Sequence, residues 1–312
     1  MQKEYNITFS INREYLSLML VTMYSVLKNN ADAYIKFYIC HHNCFSHMEI
    51  NTIISKYSAF NKYKNNYEII LLEMSKISTL DFYLNRNLWT NDIFSKIFLP
   101  ILLPNEDKIL HLDVDLIVKG NLANIYNTNL EDKLFLADNV GENYFNVGFL
   151  LMNLELLRKE NFTSKLIDYI YKNNETEEKA INVIAINKIL SLKENEVLST
   201  ASYKKGRFIK YFNYNNFLAI HYTGAKPYYI EKANLQFHKK SIKEYYNYAK
   251  ELVNVNRKIR FNFIKIYAIY LAPIINSFYR RIINLINKYC NTNIKNRNKF
   301  IFKHFIKSIS ST

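Results

Sequence analysis

Residues 108–122 read KILHLDVDLIVKGNL, and they hold two carboxylates, Asp113 and Asp115, with one residue between them. The apolar stretch 109–112 has the composition of a buried central strand that ends where the charges begin. In extended backbone alternate residues share a face, so the spacing sets the two acids side by side. Leu116, Ile117 and Val118 follow at once, so the acids stand in a mostly dry setting. Like charges buried without a partner are costly. A divalent cation is the natural partner: paired carboxylates are hard donors that suit Mn²⁺ or Mg²⁺, which keep further positions for water and phosphate oxygens. The carboxyl end of such a strand is also where open α/β sheets bind ligands.

Other elements must bring the acids their partners. Strands are expected at residues 5–10, 34–40 and 67–72, and helices at 15–27 and 46–57. In the first helix Leu16, Leu20, Met23 and Leu27 recur at helical spacing. Residues 92–103 read as an apolar helix ending near Pro104 and delivering the chain to the strand at 109–112. Strands alternating with helices at this spacing imply βαβ units and a largely parallel sheet. Further on, a strand is expected at 133–138, a strand-like run at 144–158, an apolar helix at 180–190 and a last strand at 217–222.

Three later features carry polar chemistry. Gly148 interrupts the apolar run 144–158, which suggests close approach of a ligand or backbone, and Asn146 just before it could bond a sugar hydroxyl or a phosphate, or serve as a turn residue satisfying its own backbone. The segment HYTGAKPY, residues 221–228, offers the imidazole of His221, the flexible Gly224 and the cationic Lys226 ahead of Pro227. Cys40, His41, His42, Cys44 and His47 also lie close together, but their spacing matches no zinc pattern. A polar turn is the expectation there.

The chain has 312 residues, and 5 Gly and 4 Pro argue against a linker-rich protein. Three cysteines make no disulfide framework, which fits a reducing compartment. Residues 1–10 lack the basic and apolar regions of a signal peptide, so export is not expected. The formal charge of +15 is concentrated in one place: after Glu251 there are 12 basic residues and no acid, leaving 30 of the 42 basic residues against 27 acids. In that segment Ile275, Phe278, Ile282, Leu285 and Ile286 share a helical face opposite Arg280, Asn284 and Lys288. This is the pattern of a helix lying in a membrane interface and held by anionic lipid. The same charge could bind nucleic acid, but no nucleic-acid module is present.

HLDVDLIVKGNL, YFNVGFLLMNL and HYTGAKPY together resemble, in order and approximate spacing, the family 8 retaining glycosyltransferases. That family includes bacterial lipopolysaccharide and lipooligosaccharide galactosyl- and glucosyltransferases and glycogenin. The resemblance spans residues 5–228. It implies an α/β chain with a single Rossmann-like GT-A nucleotide-sugar-binding domain at 1–250, with 251–312 as a basic, aromatic helical tail. It further implies a UDP-galactose or UDP-glucose donor, Mn²⁺ (or Mg²⁺), a glycolipid or oligosaccharide acceptor, and no nucleic-acid partner. On matching positions Asp113, Asp115 and His221 would hold the metal, around Val114. Gly224 and Lys226 would meet the phosphates, Ser10 and Asn12 the nucleoside, and Lys96, Asn146 and Gly148 the donor. Asn182 and Asn187 complete the catalytic candidates. They stand where the family usually has an Asp-Gln-Asp that touches the donor sugar, here read as Asn182-Val183-Ile184. Lys96 replaces an Arg and loses a bidentate fork, and Asn12 stands where an Asp is common. The stretch between Asp138 and Phe145 is short, which would trim an acceptor loop.

The implied activity is transfer of a hexose by front-face attack with retention, performed by a cytoplasmic enzyme peripheral on the inner face of the membrane. A degenerate relative that binds a sugar nucleotide or glycan without transfer is the alternative.

Overall fold

The computed structural model describes residues 3–42, 44–74, 91–194, 196–200, 216–223 and 235–253. Its first half follows the expected alternation. Strand β1 (Lys3–Ser10) leads to helix α1 (Leu16–Asn29), β2 (Ala33–His41), α2 (His47–Ser55), α3 (Ser58–Asn61) and β3 (Tyr67–Glu73). Ser46 caps α2 through its side chain, which accepts from the Glu49 N–H. A 3₁₀ segment (Asn91–Phe98) and α4 (Leu99–Leu102) precede β4 (Lys108–Leu112), β5 (Leu116–Val118) and α5 (Ala123–Tyr126). Then come β6 (Phe135–Gly141), β7 (Tyr144–Asn153), α6 (Leu154–Lys159), α7 (Phe162–Asn173), α8 (Glu177–Ile184), β8 (Ile189–Ser191), β9 (Val197–Ser199), β10 (Ala219–His221) and α9 (Leu235–Val253).

Seven strands form one sheet in the order β3-β2-β1-β4-β7-β6-β8. The expectation of a largely parallel sheet holds from β3 to β4, where all neighbours are parallel. Beyond β4 the sheet is mixed, because β7 runs antiparallel to both β4 and β6. The cause is local: Glu142 and Asn143 both take left-handed backbone angles and close a tight hairpin between β6 and β7, and only antiparallel strands accept so short a connection. The short segment anticipated between Asp138 and Phe145 is this hairpin.

Alternate residues of the strands feed two cores on opposite faces of the sheet. Leu110 and Leu112 of β4 pack with Ile7, Phe9, Phe37 and α1. Ile109 packs with Phe135, Leu150, Met152 and helices α6, α7 and α8.

Two helices differ from the expected ones. Residues 91–98 are 3₁₀ rather than α, and Pro100 explains the break: it has no N–H to donate to the Lys96 carbonyl. The expected helix at 180–190 starts at Glu177, stops at Ile184, and gives way to β8, which pairs in parallel with β6. A short apolar run does not distinguish a buried helix from an edge strand by period alone. The strand expected at 217–222 is β10, the centre of a second, three-stranded sheet, β5-β10-β9, whose other two strands were not expected. The expected tail at 251–312 falls outside the described residues but for its first three. Among the described residues no helix is long and apolar enough to cross a membrane.

Candidate metal centre

Helix α1 sets the backbone of the acidic segment. Thr22 Oγ1 lies 2.9 Å from the Val114 carbonyl and 2.7 Å from that of Leu116, sharing its one proton between them. Ser25 Oγ accepts from the Val118 N–H at 2.9 Å, and Asn29 donates to the Val118 carbonyl at 3.0 Å. Asn30 Oδ1 accepts from Leu122 N–H at 2.7 Å. Thr22, Ser25 and Asn29 lie at helical spacing on one face of α1, and Asn30 is the residue that caps its end. The first three occupy a line that the sequence presented only as gaps between apolar residues. Val114 itself is buried, with its side chain in the core.

Pairing of β10 with β5 then supplies the third ligand candidate. The antiparallel register sets His221 opposite Leu116, and the Tyr222 N–H donates to the Asp115 carbonyl at 3.0 Å. His221 Nε2 stands 3.3 Å from Asp115 Oδ1 and 3.4 Å from Asp113 Oδ2. One potential ligand atom from each of Asp113, Asp115 and His221 falls within 4.8 Å of the others. Two carboxylates and an imidazole nitrogen converging at these distances fit a divalent cation. Gly148 is what makes room. The Asp113 N–H donates to its carbonyl at 2.7 Å, and a Cβ built on it would meet His221 Cε1 at 2.1 Å and Asp113 Oδ2 at 2.4 Å.

On the far side the partners are charged. Lys96, buried, reaches Asp113 Oδ1 at 3.8 Å and Glu177 Oε1 at 3.5 Å. Burial acts to lower the Lys96 pKa, but Asp113, Glu177 and Glu178 outweigh it and raise it. Burial likewise pushes Asp113 up, yet Lys96, His111 and His221 hold its carboxyl well below the usual range. Glu177 is raised by burial, against the pull of Lys96. His111 Nε2 lies 3.2 Å from Asp113 Oδ1, and burial with Lys96 nearby lowers its pKa to about 4, so it is neutral and can donate to the carboxylate.

Asn146 joins the centre to α8. Its Oδ1 faces His221 Nδ1 at 2.9 Å and accepts from Gly148 N–H at 3.0 Å, while its Nδ2 donates to Glu178 Oε2 at 3.3 Å. Nearby, Ser199 donates to Asp138 Oδ2 at 2.6 Å, and burial raises the Asp138 pKa.

The structure therefore brings together Asp113, Asp115, His221, Gly148, Asn146 and Lys96 from the sequence reading. It does not bring the two other asparagines. Asn182 is buried and spent on backbone, accepting from Phe145 N–H at 2.7 Å and donating to the Phe145 and Glu178 carbonyls, each at 2.8 Å. Asn187 is exposed in the turn between α8 and β8. The acids that reach the centre from α8 are Glu177 and Glu178, in its first turn behind the Thr176 cap. Their signal in the sequence was the pair itself, at a helix start where acids are favourable. His111 and Asp138 were also missed. Each carries the faint signal of a polar residue in or at the end of an apolar strand.

Ser10 and Asn12 lie at the carboxyl end of β1. Among the described residues the Ser10 hydroxyl is buried without a hydrogen-bond partner, whereas Asn12 accepts from Glu14 N–H at 2.9 Å and caps the turn that follows. Gly224 and Lys226 lie outside the described residues. Of the His/Cys group at 40–47, Cys40 and His41 end β2, His47 opens α2, and Cys44 between them donates its N–H to His41 Nδ1 at 3.2 Å and its Sγ to the His42 carbonyl at 3.1 Å.

Comparison with known proteins places this arrangement. The sequence profile described as Glycosyl transferase family 8 matches residues 6–229. Glycosyltransferase GlyA of Streptococcus pneumoniae is 28% identical over 200 residues, 60% of this chain and 27% of that protein. Lipopolysaccharide 1,2-glucosyltransferase of Escherichia coli is 21% identical over 258 residues, 73% of this chain and 74% of that protein. The chain spans from 27% to 54% of the length of the streptococcal relatives it matches. Among solved structures, the galactosyltransferase LgtC in complex with donor and acceptor sugar analogs superposes with a TM-score of 0.64 at 18% identity, covering 82% of this chain and 99% of that one. The shared architecture is the mixed α/β GT-A fold. The chain belongs to glycosyl transferase family 8.

Proposed function

We propose that this chain is a retaining, metal-dependent hexosyltransferase that moves galactose or glucose from a UDP-sugar to a lipopolysaccharide, lipooligosaccharide or other glycan acceptor. The observation that carries the reading is the convergence of Asp113, Asp115 and His221 on one point at the carboxyl end of β4. Those three residues would hold Mn²⁺ or Mg²⁺, which when bound supplies positive charge against the departing diphosphate. Lipopolysaccharide glucosyl- and galactosyltransferases among the relatives support the acceptor class and the choice of hexoses.

Each chain residue then has a task. Lys96 and His111 hold Asp113 Oδ1, which leaves Oδ2 turned to the centre. Gly148 keeps the floor of the site low enough for His221 to lie against it. The Ser10 hydroxyl, without a hydrogen-bond partner among the described residues and at the strand end where α/β sheets bind ligands, serves the nucleoside with Asn12 beside it. From their sequence positions Gly224 and Lys226 contribute to phosphate binding, Lys226 adding positive charge where the leaving group gains negative charge. No carboxylate pair of the glycosidase kind is required when attack comes from the face the diphosphate leaves.

Residues 182–184 lack the acids expected there. Glu177 and Glu178 reach the centre from the same helix, which favours an active enzyme. The basic, acid-free segment after Glu251 fits peripheral contact with the inner face of the cytoplasmic membrane. The test is UDP release from a panel of UDP-sugars, with Mn²⁺ and with chelator, for wild type and Asp115→Ala. Metal-dependent turnover of one donor, lost in the variant, is expected. Donor binding with no turnover, even with lipid-linked acceptors supplied, would replace transfer with binding alone.

A further inference from the structure

His221 has two ring nitrogens facing two different sets of groups. Nε2 looks into the gap between Asp113 and Asp115, and Nδ1 meets the amide of Asn146 at 2.9 Å. Which nitrogen binds a metal is set by the bond the other one makes. That bond is decided here by the orientation of the Asn146 amide.

Two neighbours that cannot exchange roles fix that orientation. The Gly148 N–H can only donate, and it lies 3.0 Å from Oδ1. The Glu178 Oε2 accepts, and it lies 3.3 Å from Nδ2. A flipped amide would set N–H against N–H at Gly148 and oxygen against oxygen at Glu178. The oxygen of Asn146 therefore faces His221, and an amide oxygen only accepts. Nδ1 is thus the donor in this bond. Glu178 is in turn held by the Tyr144 hydroxyl at 2.9 Å and the Val147 N–H at 3.4 Å.

We propose that Asn146 is a positioning residue that makes Nε2 of His221 the metal-binding nitrogen, and that Glu178 acts through it by locking its amide. The inference rests on the metal-centre reading above. It assigns the α8 acid to the metal rather than to the sugar alone, and it explains why a strand residue pointing at His221 is an amide rather than a carboxylate. A carboxylate at position 146 would satisfy Gly148 and His221 equally well but would oppose Glu178.

The experiment measures Mn²⁺ affinity directly, from the electron paramagnetic resonance signal of free Mn²⁺ titrated with the full chain in the absence of donor. Loss of an outer partner of this kind weakens metal binding by about 10–100-fold, and that is expected for Asn146→Ala. Asn146→Asp is expected to bind weakly because it faces Glu178, and adding Glu178→Gln, whose amide can donate to the new carboxylate, is expected to restore affinity. A merely structural role would lower thermal stability in Asn146→Ala without this reciprocal rescue. Affinity near wild type in Asn146→Ala, or no rescue in the double variant, would overturn the proposal provided Asp115→Ala abolishes binding. Mn²⁺ binding that survives Asp115→Ala would overturn the metal centre itself and this inference with it.

Discussion

The acidic segment is held between two walls built on opposite principles. Helix α1 holds its backbone with uncharged groups alone: Thr22, Ser25, Asn29 and Asn30 meet carbonyls and N–H groups from Val114 to Leu122. The 3₁₀ segment and α8 hold its side chains with charge, through Lys96 and, behind it and Asn146, Glu177 and Glu178, while His111 of β4 and His221 of β10 set their imidazoles against Asp113. Neutral hydrogen bonds in a dry core fix position and are indifferent to an arriving cation. A charge network is not indifferent, because each added charge changes what its neighbours prefer. One wall therefore sets where the backbone lies, and the other sets how the carboxylates face a ligand.

The largest effect should come from the ligands themselves. Asp115→Ala is expected to lower kcat/KM by on the order of a thousandfold, several kcal/mol of transition-state stabilisation, with wild type in chelator falling as far. A variant that stays metal-dependent and active would remove the charged wall from function. Lys96→Met should come next. It leaves Glu177 and part of Asp113 buried without a cation, at a cost of about 3–5 kcal/mol in chelator. Added Mn²⁺ should recover more stability in this variant than in wild type, because Asp113 has then lost the Lys96 ammonium. Urea unfolding with and without Mn²⁺ measures both, and equal metal stabilisation in the two proteins would break the comparison.

Gly148→Ala forces a methyl group against His221 and Asp113. A loss of about 1–3 kcal/mol is expected from overpacking, together with weakened Mn²⁺ binding. Thr22→Val is the smallest change and sharpens the contrast most. It removes the shared hydroxyl donor and is expected to cost about 1–2 kcal/mol, read by thermal or urea unfolding, while Mn²⁺ affinity stays near wild type. A greater loss of metal affinity than of stability would place α1 on the responsive side.

Much of this was legible before any coordinates. The strand at 109–112, its acid pair, the apolar stripe of α1 and the βαβ rhythm up to β4 all follow from short-range patterning. Gly148 was legible as a close approach, although what approaches is the ring of His221. The β6–β7 hairpin turns the sheet antiparallel, yet Glu142 and Asn143 are not the Asn-Gly or Asp-Gly that announces such a turn. The acids of α8 were displaced in the reading because a family spacing was laid on Asn182, whose amide serves the Phe145 backbone. The spacing was near enough to find the helix and not enough to find its inward face.

The sequence by itself determined the local grammar of this protein: which segments are strands and helices, where two carboxylates stand together, and that three motifs in one order mark the family. Only the tertiary structure decided which groups meet those carboxylates. His221 arrives through the register of β10 on β5, Lys96 through a 3₁₀ turn, and Glu178 through the docking of α8 on β7. These partners are far apart in the chain, and periodicity carries no record of such meetings. The direction of an imidazole or an amide depends on whether a donor or an acceptor stands beside it, and packing alone settles that.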